Sequence, residues 1–215
     1  MTEDPATTDD PMMTETVTTG ESPPADKTTS DDTPTDPTAG DDTATRVAVT
    51  GTPGTGKTTA TDHLAADIDA EIIHLNDAIR ENDLYTERDA DRDSLVADLD
   101  AVSDHLGEWT GVLESHLAHH VEADRVVVLR CEPSVLADRL CDRGETAEKA
   151  RENAESEALD VVLSEAVNKH GLESVYEINT TDREPAAVAA EIAAIRAGDR
   201  EPTAGEVTFT GYLTE

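Results

Sequence analysis

The most informative segment of this chain is Gly51-Thr-Pro-Gly-Thr-Gly-Lys57-Thr58. It matches the pattern G-x-x-x-x-G-K-[S/T] in full, and it stands between the apolar run RVAVT at residues 46–50 and a segment of helical composition. Glycines let the backbone curl so that successive N–H groups face a phosphate, and the N-terminus of the following helix adds positive potential. The stretch therefore predicts a strand–loop–helix unit that binds ATP.

The residues of this loop have separate expected roles. Gly54 and Gly56 let the backbone approach the phosphates, and Lys57 reaches the β- and γ-phosphates. The Thr58 hydroxyl is expected to bind Mg²⁺, and Thr59 to lie beside the α-phosphate. A chance match in a loop is the alternative, but the chain has only four lysines and one stands where a phosphate needs it.

A second candidate element is the run GVLE at residues 111–114, an apolar strand that ends in a carboxylate. Glu114 is therefore predicted to hold Mg²⁺ through water or to orient the attacking group. His116 follows two residues later, with His119 and His120 beyond it. A three-histidine metal site is one interpretation; the other is that His119 and His120 are structural residues near the edge of the sheet.

Arginines form a third candidate element, because phosphoryl transfer between two polyanions needs fixed cations around both. Arg80 follows the second predicted strand, where an acceptor nucleotide would bind, and Asp77 nearby is a candidate contact to its ribose or base. Arg139 and Arg143 close a predicted helix, and Arg151 lies past the Gly-containing break that follows, where a lid would begin. Surface ion pairs are the alternative role for each arginine.

The pattern of apolar residues between 46 and 197 alternates between strand and helix periods. The predicted strands are 46–50, 71–75, 109–114, 125–130 and 175–179. The predicted helices are 57–67, 76–82, 94–106, 115–121, 133–143, 147–168 and 185–197. Such alternation predicts an α/β fold, a parallel sheet with helices on both faces.

The charge balance is strongly acidic, with 49 acidic and 16 basic residues and a net charge of −33 among 215 residues. Such a charge repels itself unless salt screens it, and at molar salt the screening length falls to about 3 Å. We interpret the balance as adaptation to a salty cytoplasm; a surface for a basic protein partner is the alternative. Nonspecific nucleic-acid binding is disfavoured, because it needs Lys and Arg to displace counterions.

The ends of the chain differ from its centre. Residues 1–45 contain 12 acidic residues and one basic residue with almost nothing apolar, which predicts a disordered tail. A mobile acidic arm, or a start codon placed upstream of the true one, are alternatives. A domain at 46–197 is expected to precede a tail at 198–215, whose apolar residues at 207–213 are candidates for packing on the surface.

The compartment is predicted from what the sequence lacks. Cys131 and Cys141 show no metal-type pairing and are predicted to be buried thiols in a reducing compartment. No apolar run approaches the roughly 20 residues of a membrane span, and the N-terminus lacks the features of a signal peptide. The expected location is therefore the cytoplasm, without membrane association.

Several segments together resemble the adenylate kinase isoenzyme six family, the nuclear adenylate-kinase-like group with archaeal members. The matching segments span most of 46–197 and are 51–59, 77–80, 84–85, 112–116, 139–144 and 153–157. The phosphate loop is shared by many kinases, whereas its combination with an acid-x-His motif (Glu114 and His116) and an Arg-Gly pair (Arg143 and Gly144) is more specific.

The resemblance implies a P-loop nucleoside monophosphate kinase fold with a short acceptor domain and a short lid. It implies phosphoryl exchange between ATP and AMP, with broad acceptor choice, ATPase activity, and catalytic roles for Lys57, Glu114 and His116. It also implies a role in maturation of the small ribosomal subunit, in contact with a small-subunit ribosomal protein.

The sequence departs from this family at three places. Eukaryotic members carry Asp where Glu114 stands, the tail at 1–45 has no counterpart, and the polar acceptor segment 86–93 matches poorly. Three other functions stay open: a ribosome-assembly ATPase, another small kinase on the same scaffold (for cytidylate, shikimate or a coenzyme A precursor), and a nucleotide-binding scaffold without turnover.

Overall fold

The computed structural model describes residues 45–89 and 94–214. Residues 1–44 of the predicted acidic tail lie outside this part of the chain, as do residues 90–93 of the polar acceptor segment. Within the described residues, no helix is both long enough and apolar enough to cross a lipid bilayer.

The strands form two separate sheets. In chain order they are β1 (Arg46–Thr50), β2 (Ile72–His74), β3 (Tyr85–Asp89), β4 (Ser94–Ala97), β5 (Gly111–Glu114), β6 (Arg125–Arg130) and β7 (Val175–Asn179). The central sheet has five strands in the order β2-β5-β1-β6-β7, and every pairing in it is parallel. Strand β1 is central, so the loop that follows it lies at the middle of the carboxyl edge.

The helices pack on both faces of this sheet. They are α1 (Lys57–Asp67), α2 (Leu75–Glu81), α3 (Leu99–Leu106), α4 (Pro133–Asp142), α5 (Ala147–Ala158), α6 (Val161–His170) and α7 (Pro185–Ala197). Helices α1 and α7 share one apolar layer with the sheet, and α2, α3 and α6 share the other. Helices α4 and α5 pack together around Leu136, Leu140 and Ala150.

Strand β1 contributes side chains to both apolar layers. Val47 and Val49 belong to one layer and Ala48 to the other, because successive strand side chains alternate between faces. All three are fully buried, as expected for a parallel sheet covered on both sides. The predicted α/β fold with helices on both faces is confirmed.

The second sheet is an antiparallel hairpin of β3 and β4 that the sequence analysis missed. The predicted helix 94–106 is wrong in its first part: Leu95 and Ala97 face the core while Val96 is 50% exposed, which is a strand period. Helix α3 begins only after Asp98, whose carboxylate accepts from Ala101 N at 3.1 Å. The hairpin leaves and rejoins the domain at one point, where Asp98 N donates to Leu84 O at 3.1 Å.

Two other predicted helices were also wrong in extent. The stretch 147–168 is two helices, α5 and α6. Asp160 breaks the helix because its φ is +55°, and its carboxylate pairs with Arg130. The stretch 115–121 holds only a 3₁₀ turn at Ala118–His120, because the Ser115 hydroxyl accepts from Leu117 N at 3.0 Å and closes a tight turn. Strands β2 and β5 are shorter than predicted.

The two cysteines differ in burial, and the C-terminal segment packs against the sheet. Cys131 is buried as predicted, but Cys141 is exposed because α4 turns Leu136 and Leu140 inward and Cys141 outward. The C-terminal segment packs along β7, where Thr203 N donates to Val175 O at 3.2 Å. Further on, a 3₁₀ turn covers Thr210–Thr214.

Candidate active site

The loop at residues 51–56 joins β1 to α1 and depends on glycine at two crowded positions. Gly51 has a φ of +140°, and a Cβ there would lie 2.4 Å from Leu129 O. Gly54 has a φ of +97°, and its Cβ would lie 3.1 Å from Leu140 Cγ. A side chain at either position would push the loop away from the sheet and α4. Close packing against β6 and α4 therefore fixes the path of the loop backbone.

Lys57 lies inside this curve at the first turn of α1. Its Nζ donates to Gly51 O at 2.9 Å and to Thr52 O at 3.2 Å, so the ammonium group is held at the centre of the loop. Burial lowers the pKa of Lys57 to about 8; the Glu114 carboxylate opposes that shift and Arg143 adds to it. The group is therefore still mostly protonated at neutral pH and presents a positive charge to a phosphate.

Glu114 and Thr58 meet across the loop because β5 pairs with β1. The register places Glu114 beside Val49, and Thr58 Oγ1 donates to Glu114 Oε1 at 3.3 Å. The second carboxylate oxygen, Oε2, lies 3.1 Å from His74 Nδ1. The Glu114 side chain is only 5% exposed. A hydroxyl and a buried carboxylate beside a phosphate loop are oxygen ligands that suit Mg²⁺.

His116 lies two residues beyond the end of β5, in the wall between two clefts. It lines a phosphate-side cavity of about 180 Å³ together with Lys57, Thr58, Thr59, Glu114 and Arg143. It also lines a larger cleft of about 480 Å³ on the other side. Partial burial lowers the pKa of His116 to about 4, and the charge of Lys57 adds to the effect, although the residue as a whole is exposed. The imidazole is therefore neutral at physiological pH.

The structure separates His116 from the other two histidines of its segment. His119 is buried, with Nδ1 2.9 Å from Thr50 Oγ1 and Nε2 3.0 Å from Glu165 Oε2. The possible ligand atoms of His119, His120 and Glu165 lie within 4.8 Å of one another, and His116 is not part of that group. Since protein groups occupy both ring nitrogens of His119, its contacts are those of a structural residue.

The larger cleft is the candidate acceptor site. Its lining combines α2, the β3–β4 hairpin and the turn after β5: Asn76, Ile79, Arg80, Tyr85, Arg88, Leu95, Ala97, His116 and Leu117. Arg80 was predicted from the sequence, whereas Asn76 and Arg88 were missed. Asp77 is not among the lining residues; it is exposed and lies 3.5 Å from Arg80 in an ion pair. The cleft thus brings two arginines to one side of His116.

Signals for the missed residues existed only in part. Asn76 directly follows the first residue of α2, and its Oδ1 accepts from Ser115 Oγ at 2.8 Å, a contact across 39 residues of sequence. Arg88 lies in a polar segment whose strand character was not recognised. Both depend on tertiary contacts between α2, the hairpin and β5, which no local pattern reveals.

A third cavity of about 260 Å³ lies beside the phosphate loop and is the candidate site for the base of ATP. It is lined by Gly54, Thr55, Gly56, Thr59, Ala60, Arg139, Arg143, Thr180, Arg183, Pro185 and Val188. Arg143 ends α4 and lines both this cavity and the phosphate-side cavity. Arg139 donates to Thr180 O at 3.2 Å, and Arg183 was not predicted. Arg151 is exposed, 3.8 Å from Glu155, and lines none of these three cavities.

Two comparisons with known proteins fit this architecture. The AAA domain family matches residues 47–160. A shikimate kinase from Acinetobacter baumannii, solved in complex with shikimate, has a TM-score of 0.52 with 17% sequence identity, covering 73% of this chain and 94% of that one. At this identity the likeness bears on the fold alone. The sheet order and the phosphate loop after its central strand define the nucleoside monophosphate kinase fold of P-loop phosphotransferases.

Two archaeal proteins are much more similar to this chain in sequence. A protein from Natronomonas pharaonis named "Putative adenylate kinase" is 64% identical over 169 residues, covering 78% of this chain and 99% of the relative. A protein of the same name from Halobacterium salinarum is 59% identical over 170 residues, covering 78% and 99%. The chain belongs to the archaeal family of these proteins named "Putative adenylate kinase", and the resemblance found in the sequence is confirmed.

Proposed function

We propose that this chain transfers the terminal phosphoryl group of ATP to AMP, with Mg²⁺ as the cofactor. The observation that carries the proposal is the shared wall between two clefts: Asn76 and His116 line both the phosphate-side cavity and the acceptor cleft. Two phosphate chains bound in these clefts would meet at this wall. At about 480 Å³ the acceptor cleft is of a size typical for small-molecule sites.

On the ATP side, the loop backbone and Lys57 hold the phosphates, with Gly54, Gly56 and Thr59 beside them. Arg143 reaches both the base cavity and the phosphate-side cavity, so its guanidinium is placed to neutralise charge along the phosphate chain. The short turn after α4, between Arg143 and the start of α5, is the proposed lid. Its closing would exclude water from the phosphates.

The metal site of this proposal consists of Thr58 and Glu114. Thr58 would ligate Mg²⁺ through its hydroxyl, and Glu114 would hold it directly or through water. When bound, the ion supplies charge neutralisation on the phosphates of ATP. His74 fixes the orientation of the Glu114 carboxylate from the side away from Thr58.

On the acceptor side, Arg80 and Arg88 would bind the AMP phosphate and turn an oxygen toward ATP. His116 would hydrogen-bond to the phosphoryl groups as they approach, and Asn76 is held in place for a similar contact by Ser115. The attacking phosphate oxygen needs no general base, so positioning and charge neutralisation carry the proposed mechanism.

The experiment is nucleotide turnover by the purified protein in molar KCl, with Mg²⁺ and ATP, with and without AMP. We expect rapid formation of ADP only when AMP is present. Equal release of ADP and phosphate without AMP would contradict the proposal. A panel of acceptors, including cytidylate, shikimate and coenzyme A precursors, tests the choice of AMP among small-kinase substrates.

A second candidate is an ATPase that assists maturation of the small ribosomal subunit. The observation that favours it is the net charge of −33, which suits a basic small-subunit ribosomal protein as partner. Pull-down of such a protein by the ATP-bound form but not by the ADP-bound form would support this candidate. Arg88→Ala separates the two activities, because it should impair AMP phosphorylation and leave ATP hydrolysis intact.

A further inference from the structure

Arg130, at the end of β6, is 1% exposed and lies among three carboxylates. Its Nε contacts Glu157 Oε1 at 2.7 Å, its Nη1 contacts Glu177 Oε1, and its Nη2 contacts Asp160 Oδ1. Asp160 is 29% exposed and reaches solvent, but Glu157 and Glu177 are almost fully buried, and one guanidinium cannot neutralise both. An uncompensated charge at such depth is strongly destabilising, so further donors are needed around this cluster.

The C-terminal strap, defined as residues 203–209, supplies some of these donors. The side chain of Glu177 is fully buried, and its second oxygen, Oε2, accepts from the backbone N–H groups of Gly205, Glu206 and Val207 at 2.6, 2.8 and 3.3 Å. Successive backbone N–H groups of this kind form an anion-binding concavity. The ring of Phe209 covers the Arg130 guanidinium, with its centroid 5.5 Å from Cζ.

The same cluster reaches the phosphate loop on its other side. Glu157 Oε1 accepts from Arg130 and from Cys131 N at 3.2 Å, while Glu157 Oε2 accepts from the Thr52 hydroxyl. Thr52 is the second residue of the loop, and its carbonyl oxygen accepts from Lys57 Nζ at 3.2 Å. A continuous series of buried polar contacts thus runs from the strap through Glu177, Arg130 and Glu157 to the loop.

We propose that the C-terminal strap is a positioning element for the phosphate loop, acting through Glu177, Arg130, Glu157 and Thr52. None of these four residues lines the acceptor cleft. The strap therefore sets the conformation in which the loop accepts a phosphate chain, and the acceptor cleft is independent of it. The proposal rests on nucleotide binding at the loop, and it does not depend on which acceptor receives the phosphoryl group.

The first test uses Thr52→Val, which removes the hydroxyl and keeps the shape, with Thr52→Ser as the conservative variant. Affinity is measured by calorimetry with Mg²⁺ and ADP. Loss of a hydrogen bond to a buried carboxylate should weaken ADP binding on the order of tenfold in the valine variant, and serine should restore it. Thr61→Val is the matched control, because the Thr61 hydroxyl donates to carbonyls of its own helix, those of Lys57 and Thr58.

The second test asks whether the strap and the loop are energetically coupled. Phe209→Ala and Thr52→Val are combined in a double-mutant cycle on ADP affinity, with thermal melting recorded for each variant. We expect the double variant to bind ADP several-fold more tightly than the product of the two single effects predicts, while the KM for AMP stays constant. A merely structural role would lower the melting temperature without this split between the two nucleotides.

Two results would overturn the inference: additive effects in the cycle, or unchanged ADP affinity in Thr52→Val while the wild type binds ADP. Failure of the proposed function has a different signature. A wild-type protein that binds ADP but does not phosphorylate AMP would refute the adenylate kinase reaction, and the same binding cycle would still test the strap.

Discussion

The phosphate side and the acceptor side of the candidate active site are built in different ways. On the phosphate side, one run of eight residues, 51–58, supplies the loop, the lysine and the threonine, and β5 adds Glu114 from the neighbouring strand. On the acceptor side, α2, the hairpin and the turn after β5 each supply only two to four residues of the lining. The first is a local motif on a rigid sheet; the second is a product of tertiary packing. Substitutions should therefore separate ATP binding from acceptor binding.

The largest expected effect is on the phosphate side. Lys57→Ala should lower turnover on the order of 10³-fold, because it removes the buried positive charge at the centre of the loop. The fold should survive, as judged by circular dichroism. Lys169→Ala is the control, since that lysine is exposed, donates to His120 O and lines none of the three cavities. Wild-type rates in Lys57→Ala would show that the loop does not hold the transferred phosphate.

Glu114→Gln should have the next largest effect. It keeps the size of the side chain but removes the charge that faces Thr58, so turnover at limiting Mg²⁺ should fall by roughly 10–100-fold. Titration of activity with MgCl₂ measures the shift, and excess Mg²⁺ should recover part of the rate. Glu165→Gln, in α6, is the matched control. An unchanged Mg²⁺ dependence would exclude Glu114 from the metal site.

A smaller effect is expected on the acceptor side alone. Arg80→Ala and Arg88→Ala should each raise the KM for AMP by about tenfold, the loss of one charge-assisted hydrogen bond, with ADP affinity at the loop unchanged. Steady-state kinetics with AMP as the varied substrate measure this. Arg46→Ala serves as control because its ion pair with Asp124 lies at the opposite end of β1. Equal losses for both nucleotides would break the distinction between the two sides.

The smallest effect is on stability, and it concerns α3 and the hairpin on the acceptor side. Asp98→Ala removes the carboxylate that caps α3 and should cost about 1 kcal/mol of stability. Hydrogen exchange should show the loss in α3 and the hairpin, while β1 and the phosphate loop stay protected. Ser103→Ala is the control in the same helix, since its exposed hydroxyl donates to Leu99 O within that helix. A uniform loss of protection would mean that the two sides unfold as one unit.

The sequence was sufficient for the phosphate side because its signals are local. The order of glycine, lysine and threonine in the loop, and a carboxylate at the end of an apolar strand, specify that geometry without knowledge of distant residues. The alternation of strands and helices likewise predicted the parallel sheet. Lys57 and Thr58 begin the helix that follows the loop, and the pairing of β1 with β5 brings Glu114 beside them.

Apart from Arg80 and His116, the acceptor side and the buried cluster could not be predicted in this way. Leu95, Val96 and Leu99 fit the spacing of a helix, whereas Leu95 and Ala97 fit the alternation of a strand. Packing of Leu95 and Ala97 against the core decides which one forms. Arg130 reads as the end of a buried strand, and its carboxylates come from positions 27, 30 and 47 residues away. Long-range charge compensation of this kind leaves no periodic pattern in a sequence so rich in acidic residues.

The hairpin is attached to the rest of the domain in a way that favours its replacement as a unit. Its ends, at Leu84 and Asp98, meet through a backbone hydrogen bond, and among the residues that the structure describes its strands pair only with each other. It is thus a cassette: residues 85–97 can be exchanged for a segment of different length without re-registering any strand of the central sheet. Recombination, natural or in the laboratory, then has two defined junctions at which this part of the candidate acceptor cleft can be replaced while the phosphate loop stays unchanged.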